Sequence, residues 1–369
     1  MRKYTLLITS ILLALVLVIT LALRYENPGN ERRHIEVGVL LPLSENFAWW
    51  GDMIRDSIAV AQSEGYAGDF EFIYQDTKCN TKDAVSGTQS LKALHPSMHM
   101  FIVGCDNDMK AMYPLLDARD DLTFMAGLSG ADLYESGFPT INLAYRLEAE
   151  ATEAAKFASE RLGVKTLGII TDNGTFGGTL NDSATEYFNG VGGRTISEKI
   201  KYNEPSPETS VLKILAGKPD AVYMQNDIPA MSAILKRLNQ MGYKGDRIAY
   251  YGGRDQSLID TAGKAGEGLY VPWVVSDITN STRQNFEAKF KETYGKDPFV
   301  TAYFVYDGLM LLDEAEKSCG TDVRCIEKYF YDKDDFVGTL GKVRYQPSGE
   351  VERDFYFQQI RDGKFVEVE

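Results

Sequence analysis

Residues 37–53 read VGVLLPLSENFAWWGDM, and this stretch decides the fold. A short apolar run of β-favouring residues stops at Pro42, passes into a polar and aromatic turn, and continues as a helical pattern. Gly51 and Asp52 open the predicted helix, whose buried face continues at helical spacing through Ile54, Ile58 and Ala61. In α/β proteins, the loop between the end of a strand and the start of the next helix commonly forms part of a ligand site.

Two tryptophans, Trp49 and Trp50, fall in the predicted loop and outside the core pattern. They are typical either of a wall on which a ligand stacks or of surface aromatics beside a helix-capping turn. This stretch alone does not decide between the two interpretations.

The size of the chain limits its possible architecture, and its charge limits its possible partners. Its 369 residues exceed the limit of about 250–300 residues for one hydrophobic core, so we expect two lobes. The net charge of -14 at pH 7 argues against nucleic acid and anionic membrane surfaces as partners, because both attract basic patches. Nothing in the sequence requires more than a monomer.

The first residues read as an export segment. Arg2 and Lys3 precede an apolar run over residues 6–23, so we assign residues 1–24 to a signal peptide or an N-terminal membrane anchor. The apolar core of a signal peptide is typically about 7–15 residues, and this run is longer, so both alternatives stay open. Residues 25–35 are polar and predict a linker to the exported part.

Four cysteines follow the export segment, and an even number in an oxidising compartment favours disulfides. Cys319 and Cys325 are close enough to close a small loop between helices. Cys79 and Cys105 flank a predicted helix at residues 82–94. Zinc is the competing interpretation, but neither pair has the spacing of a zinc knuckle and the three histidines are poorly placed. We therefore expect no metal site.

Short β-rich runs alternate with amphipathic helices from residue 35 to about residue 275. We predict strands at residues 36–41, 71–75, 100–103, 123–126, 166–171, 195–200, 221–225, 247–251 and 268–271. Helices are predicted at residues 51–64, 82–94, 110–119, 148–162, 177–189, 207–216, 228–241 and 256–262. Such alternation requires right-handed crossovers and predicts parallel sheets.

The strand–loop–helix pattern occurs twice. Residues 165–172, KTLGIITD, are followed by a Gly-rich turn and a helix, as in the unit that begins at Val37. Two similar lobes place a cleft at the carboxyl ends of their strands. Helices then dominate residues 281–316, and the chain ends in two β-like runs, at residues 341–345 and 354–360.

The sequence holds no motif of a known catalytic centre, neither GxSxG, a Walker loop nor HExxH, so we predict no catalytic residue and no cofactor. Polar and aromatic residues do gather at the predicted strand ends. Each alone is also typical of a cap or turn, and the signal is their common position: Trp50, Asp106, Asn107, Ser129, Gly130, Phe176, Asn226, Asp227, Tyr251 and Arg254.

These features resemble the type I periplasmic solute-binding proteins, and within them the branched-chain amino-acid (leucine/isoleucine/valine) binding proteins. Residues 50–53, WGDM, look like that branch's turn, whose tryptophan lines the cleft. Cys79 and Cys105 stand where the family carries its first-lobe disulfide. Residues 341–345, GKVRY, are similar to the family's closing G-x-x-x-[FYW] segment. The likeness covers about residues 35–365.

The resemblance implies an α/β fold of two Rossmann-like lobes, whose parallel central sheets are joined by a three-strand hinge. The first lobe would comprise residues 36–145 and 276–350, and the second residues 146–275 and 351–369.

At the ligand site the sequence departs from the family pattern. Asp106 stands where the family usually offers a serine to a ligand carboxylate, which an aspartate would repel. Ser129 remains in the partner loop, while the family's threonine is lost. Phe176 matches an aromatic wall, but Asp227 replaces a tyrosine. The resemblance therefore implies the family's fold and cleft for this chain, but it does not imply specificity for leucine-like amino acids.

The resemblance implies an exported, non-enzymatic receptor, in the periplasm or on the outer face of the cytoplasmic membrane. It would capture a small polar ligand, an amino acid or an amide-like compound, and deliver it to the permease of an ABC importer. Trp50 and Phe176 would stack on the ligand, Ser129 and Gly130 would donate hydrogen bonds, and Asp106, Asp227 and Arg254 would set the charge preference.

The alternative is a ligand-sensing ectodomain of the same fold, held on the membrane by its N-terminal segment and reporting to a signalling partner. An enzyme would need a nucleophile–base pair or a metal.

Overall fold

A computed structural model describes residues 35–201, 206–274 and 280–368. The predicted export segment and all but the last residue of the predicted linker lie outside this range. Ile35, assigned to the linker, is instead the first residue of strand β1. Within the described residues, no helix combines the length and the apolar character that a membrane crossing requires.

The first sheet has five parallel strands in the order β2-β1-β3-β4-β5. Its strands are β1 (Ile35–Leu41), β2 (Phe70–Asp76), β3 (Met100–Val103), β4 (Leu122–Met125) and β5 (Thr140–Asn142). β3 and β4 are buried along their whole length, because helices cover both faces of the sheet. β5 was not predicted from the sequence.

The second sheet has seven strands in the order β16-β15-β10-β9-β8-β6-β7. Its strands are β6 (Thr166–Asp172), β7 (Arg194–Ile200), β8 (Ala221–Met224), β9 (Asp246–Ala249), β10 (Tyr270–Trp273), β15 (Tyr356–Arg361) and β16 (Lys364–Val368). β6 to β10 are parallel, as predicted, whereas β15 and β16 add an antiparallel edge. Asp362 and Gly363 both have positive φ, which is the geometry of a two-residue hairpin turn.

Four two-residue strands form two further hairpins near the carboxyl terminus. They are β11 (Val337–Gly338), β12 (Gly341–Lys342), β13 (Arg344–Tyr345) and β14 (Val351–Glu352). The single run predicted at residues 341–345 is thus divided between two hairpins.

The helices around the first sheet are α1 (Ala48–Ser63), α2 (Thr81–Leu94), α3 (Asp106–Met112), α4 (Asp132–Glu135), α10 (Ser281–Tyr294), α11 (Val300–Cys319) and α12 (Val323–Asp332). Those around the second are α5 (Leu147–Lys156), α6 (Thr175–Gly190), α7 (Glu208–Ala216), α8 (Ile228–Gln240) and α9 (Gln256–Ala262). α5 continues into a π-helical turn at Phe157–Arg161.

Two helix predictions were wrong in position. The helix predicted at residues 110–119 is α3, which begins directly after Cys105 and gives way to a 3-10 turn containing Pro114. The helix predicted from Gly51 begins three residues earlier, so both tryptophans lie in its first turn and not in a loop. Gly51 itself packs against Pro42, since a Cβ there would meet the Pro42 carbonyl oxygen at 2.0 Å.

Each sheet is buried on both faces. In β1, Val39 packs into a core shared with α1, α11 and α12, while Leu40 faces the opposite cluster beneath α2. In β6, Ile169 packs towards α5 and α6, and Ile170 towards α7 and α8. Alternate residues of one strand therefore serve different cores, which requires the continuous apolar runs seen in the sequence.

The described chain passes between the two sheets three times: after β5, after β10 and after β14. α10 and α11 follow the second passage and pack on α1, so they return to the first sheet. The strands' carboxyl ends then face a common space.

Candidate ligand-binding cleft

A cavity of about 660 Å³ lies between the carboxyl edges of the two sheets. The first-sheet side is lined by Phe47, Trp49, Trp50, Cys79, Gly104, Cys105, Asp106, Asn107, Leu128, Gly130, Asp132 and Phe299. The second side is lined by Leu147, Asp172, Gly174, Thr175, Phe176, Thr179, Gln225, Asp227, Ile228, Pro229, Tyr250, Tyr251, Gly252 and Asp255. Most of these residues lie in the loops that follow strands or in the first turns of the helices after those loops, which is where α/β sheets bind ligands.

Five aromatic rings follow one another around the cleft, and we call them the aromatic arc. Trp49 stands edge-on to Phe299 at 5.7 Å between ring centroids, and Phe299 lies 6.2 Å from Tyr251. Tyr251 contacts Tyr250 at 5.2 Å, and Tyr250 contacts Phe176 at 6.1 Å. The arc joins both sides of the cleft with apolar faces that suit an apolar or aromatic group.

Trp50 is held more firmly than its neighbour in the sequence. Its indole Nε1 donates a hydrogen bond to Thr301 Oγ1 at 3.0 Å, and its ring covers Gly104 and Gly127. A Cβ at Gly127 would lie 2.8 Å from the ring, so the glycine is needed for this contact. Trp49 is 55% exposed. Trp50 thus forms the floor of the cleft, and Trp49 stands at its mouth.

Among the described lining residues, the side chains of the acidic and basic residue types are all aspartates: Asp106, Asp132, Asp172, Asp227 and Asp255. Lys110, behind the first two, places Nζ 3.3 Å from Asp106 and 2.7 Å from Asp132. Asp227 and Asp255 cap helices α8 and α9 by accepting backbone N–H bonds. Four of these carboxylates thus form local ion pairs or helix caps, and all five also give the cleft a negative charge.

The structure places three of the predicted site residues outside the lining. Ser129 is buried, and its hydroxyl pairs with the Tyr134 hydroxyl at 2.9 Å. Asn226 is also buried, with Nδ2 donating to the Lys201 carbonyl at 3.3 Å. Both support the loops that do line the cleft.

Arg254 is the third predicted site residue that lies outside the cleft lining. Its Nε donates to Gln358 Oε1 at 2.7 Å, and its guanidinium lies 4.6 Å from the centroid of the Trp273 ring. The only positive charge of the predicted set therefore packs against β10 and β15 and not into the cleft. The other predicted residues, namely Trp50, Asp106, Asn107, Gly130, Phe176, Asp227 and Tyr251, all line it.

Glu150 is a buried carboxyl that sequence reasoning missed. It lies on α5 with no exposed surface, and burial raises the pKa of its carboxyl to about 8. Oε1 accepts the backbone N–H of Tyr251 at 2.8 Å, while Oε2 has no hydrogen-bond partner in the described structure. A largely protonated Glu150 at neutral pH thus supports a residue of the aromatic arc.

Two contacts hold the loop after β4 close to the second side. The backbone N–H of Ala131 donates to Glu148 Oε1 at 2.7 Å, and that of Leu147 donates to the Ser129 carbonyl at 3.1 Å. Across the cleft, a Cβ at Gly130 would lie 3.9 Å from Thr179 Oγ1. The two sides therefore meet at Gly130 and Thr179.

The structure pairs the cysteines as predicted, Cys79 with Cys105 and Cys319 with Cys325. The first disulfide lies in the cleft lining and joins β2's loop to the start of α3. Cys79, Cys105 and Asp108 come within the reach of one metal ion, but the two sulfurs are bonded to each other. Burial raises the pKa of Asp108 to about 6.

Comparisons with known proteins show the family. The sequence profile of a family described as "Periplasmic binding protein" matches residues 34–364. A Brucella abortus protein named Leu/Ile/Val-binding protein homolog 2 is 21% identical over 353 residues, which span 91% of this chain and 94% of that protein.

Solved structures share the fold. A leucine binding protein from Thermotoga maritima matches with a TM-score of 0.79 at 20% identity, covering 91% of this chain and 98% of that chain. A solute binding protein of an ABC transporter from R. palustris, in complex with 4-hydroxybenzoate, matches with a TM-score of 0.79 at 17% identity, covering 91% and 96%. These likenesses show that the chain shares the fold of both proteins.

Proposed function

Because the chain belongs to the periplasmic binding protein family, we propose that it captures a small polar solute in this cleft and delivers it to an ABC importer. The observation that carries the proposal is a cavity of about 660 Å³ lined by strand-end loops of both sheets. A cavity of this size suits a small molecule and not a polymer. We assign residues 36–145 and 276–350 to one lobe and residues 146–275 and 351–369 to the other.

The binding cycle we propose is closure of the two lobes around the solute. Trp50 forms the floor, Phe176 approaches from the second lobe, and Gly130 offers its backbone to the ligand. Contacts on both lobes favour the closed state only if they outweigh the cost of ordering, and the fixed indole of Trp50 lowers that cost. Ser129 and Asn226 act beneath the surface by holding their loops.

The proposed location is the periplasm or the outer face of the cytoplasmic membrane. The apolar run over residues 6–23 favours export, and its length also supports a second candidate, an anchored sensor that reports the solute to a signalling partner. Mass spectrometry of the mature N-terminus separates the two. A chain that begins after residue 24 supports the soluble carrier, and one that keeps residues 1–24 supports the sensor.

Binding without turnover is the expected chemistry. The described lining offers carboxylates, amides and aromatic rings, but no histidine, lysine or cysteine thiol that could act with them as a nucleophile–base pair. A solute recovered unchanged after prolonged incubation with the protein supports this proposal, and a converted product contradicts it.

The direct test is a thermal-unfolding screen of the full chain in a mild neutral detergent. The panel contains amino acids, amides, polyamines, ureas and small carboxylates, including leucine and 4-hydroxybenzoate because related proteins bind them. A ligand of the folded state raises the unfolding midpoint in proportion to RT ln(1 + [L]/Kd).

A variant pair shows whether the stabilising solute sits in the cleft. Phe176→Ala should weaken its binding by about 1–3 kcal/mol, because an aromatic wall is lost. Phe365→Ala is the matched control, since Phe365 contacts Arg254 and the second-sheet core outside the cleft lining. Equal affinities for the two variants would contradict the site, and no stabilisation by this panel or by a low-molecular-mass ultrafiltrate of rich growth medium would contradict the function.

A further inference from the structure

The sign of the charge in the cleft restricts the solute. Five aspartates line the cavity, and the described lining contains no lysine, arginine or histidine to balance them. Lys110 lies behind the lining and is shared by Asp106 and Asp132. The other three form no ion pair with a described residue: Asp172, Asp227 and Asp255. The cleft therefore has an excess of negative charge.

The three aspartates without a cation all lie on the second-sheet side, each at or beyond the carboxyl end of a strand. Asp172, Asp227 and Asp255 accept a backbone N–H through Oδ1, at 2.6, 3.0 and 2.7 Å. In each carboxylate the second oxygen, Oδ2, accepts no hydrogen bond from another described residue. After capping the backbone through Oδ1, each aspartate can therefore still accept a hydrogen bond from a ligand through Oδ2.

The aromatic arc adds a second, independent feature. The five rings from Trp49 to Phe176 join both sides of the cleft. Aromatic faces attract cations through the ring quadrupole, and carboxylates beside such rings are the combination that suits an ammonium group. A ligand carboxylate would instead meet five aspartates and no basic side chain of the described lining, because Arg254 packs on Trp273 outside the cavity.

We propose that the solute is a small organic ammonium ion that carries an apolar or aromatic group and no carboxylate. Its ammonium group would lie towards Asp227 and Asp255, and its apolar part would pack on the aromatic arc. This inference rests on the proposed function and names the ligand class of the same cleft.

Probes of matched shape test how the charge of the ligand affects binding. We would titrate the full chain with benzylamine, benzyl alcohol and benzoate, which share one ring and differ in charge. Choline and its neutral isostere 3,3-dimethylbutan-1-ol form a second set. The expected result is that at least one ammonium compound binds tenfold or more tightly than its neutral and anionic counterparts, and that added salt weakens its binding.

Substitutions in the protein test how much the aspartate charges contribute to binding. Asn replaces Asp as an N-cap with little loss of stability, so Asp227→Asn and Asp255→Asn remove charge while keeping the caps of α8 and α9. Each should weaken binding of the ammonium compound tenfold or more. Asp322→Asn, at the cap of the remote helix α12, is the matched control and should leave the affinity unchanged.

A fraction test covers ammonium compounds outside the probe sets. A low-molecular-mass ultrafiltrate of rich growth medium is separated on a cation exchanger at pH 7, and each fraction is added to the protein in the thermal-unfolding assay. Stabilisation by a retained organic cation without a carboxylate supports the inference. Stabilisation only by the flow-through or by retained cationic amino acids, or tightest binding by benzoate, overturns it and leaves the proposed function intact. No stabilisation by any probe or fraction overturns both.

Discussion

The indole Nε1 of Trp50 donates a hydrogen bond to Oγ1 of Thr301 at 3.0 Å, across 251 positions of the chain. The bond fixes the first turn of α1 to the first turn of α11, two helices that share the core of the first sheet. A tryptophan that borders the cleft is thus held by a residue far away in sequence. The floor of the cleft is therefore anchored to the core of the first sheet.

The bond between Trp50 and Thr301 predicts a stability effect. Thr301→Val keeps the shape of the side chain but leaves the indole N–H without its acceptor, so the free energy of unfolding should fall by about 1–2 kcal/mol. Urea unfolding followed by circular dichroism measures it. Thr293→Val on the exposed face of α10 is the control, because the intrinsic helix cost of the change is the same there. Equal stabilities of the two variants would show that the bond contributes nothing.

Glu150 predicts a pH dependence with a definite sign. Folding raises the pKa of its carboxyl from 4.5 to about 8, so the folded chain binds this proton more tightly than the unfolded chain. The contribution of Glu150 to the free energy of unfolding should therefore be constant below about pH 4.5, fall as the pH rises to about 8, and stay constant above it.

The matched experiment compares Glu150→Gln with wild type by thermal unfolding between pH 5 and pH 9. Gln keeps the acceptor for the Tyr251 N–H and cannot ionise, so its midpoint should fall less with pH and exceed that of wild type at the alkaline end. Asp108 titrates in both proteins and cancels in the difference. Glu186→Gln, on the exposed face of α6, should follow wild type. Parallel curves for wild type and Glu150→Gln would contradict the raised pKa.

The two disulfides should differ in what they support. Cys79–Cys105 closes a separation of 26 residues and Cys319–Cys325 one of 6 residues, so their removal should cost about 3.5 and about 2 kcal/mol of stability. Only the first borders the cleft. Double substitution to serine at positions 79 and 105 should therefore also weaken solute binding, whereas the same change at positions 319 and 325 should not. Isothermal titration of both variants decides this, and equal losses of affinity would contradict the assignment.

Much of the fold could be predicted from local patterns. The strands from β1 to β10, except β5, were predicted within about two residues, because continuous apolar runs between helical patterns are a local signal. α3 was predicted to begin at residue 110, four residues too late, because its Asp-rich first turn, Asp106 to Asp108, resembles a loop, and the helix is only seven residues long. β16 was missed although Asp362–Gly363 is a typical two-residue hairpin turn, since its five residues, KFVEV, are exposed or half-buried and show no strict alternation of polar and apolar residues.

The site was predictable only as far as strand ends define it. Trp50, Asp106 and Asp227 were found because each follows or adjoins a strand. Arg254 satisfies the same rule, yet its direction is set by Gln358, 104 positions away, which no local pattern shows. Glu150 reads as an ordinary solvent-facing residue of an acidic helix start, and only the tertiary structure buries it.

The most direct test of a solute held between two lobes is to lock the lobes together. Gly130 and Thr179 meet across the cleft, where a Cβ at Gly130 would lie 3.9 Å from Thr179 Oγ1. In the double variant Gly130→Cys/Thr179→Cys, oxidation in the presence of the growth-medium ultrafiltrate should trap a solute. The protein is then washed, reduced, and the released small molecules are identified by mass spectrometry.

The account predicts that a small molecule appears only after reduction, in near-equal amount to the protein, and that protein oxidised before exposure to the ultrafiltrate releases none. The two single-cysteine variants, which cannot lock, should lose the solute during washing. Release without reduction, or the same yield whether oxidation precedes or follows exposure, would contradict a solute enclosed between the lobes.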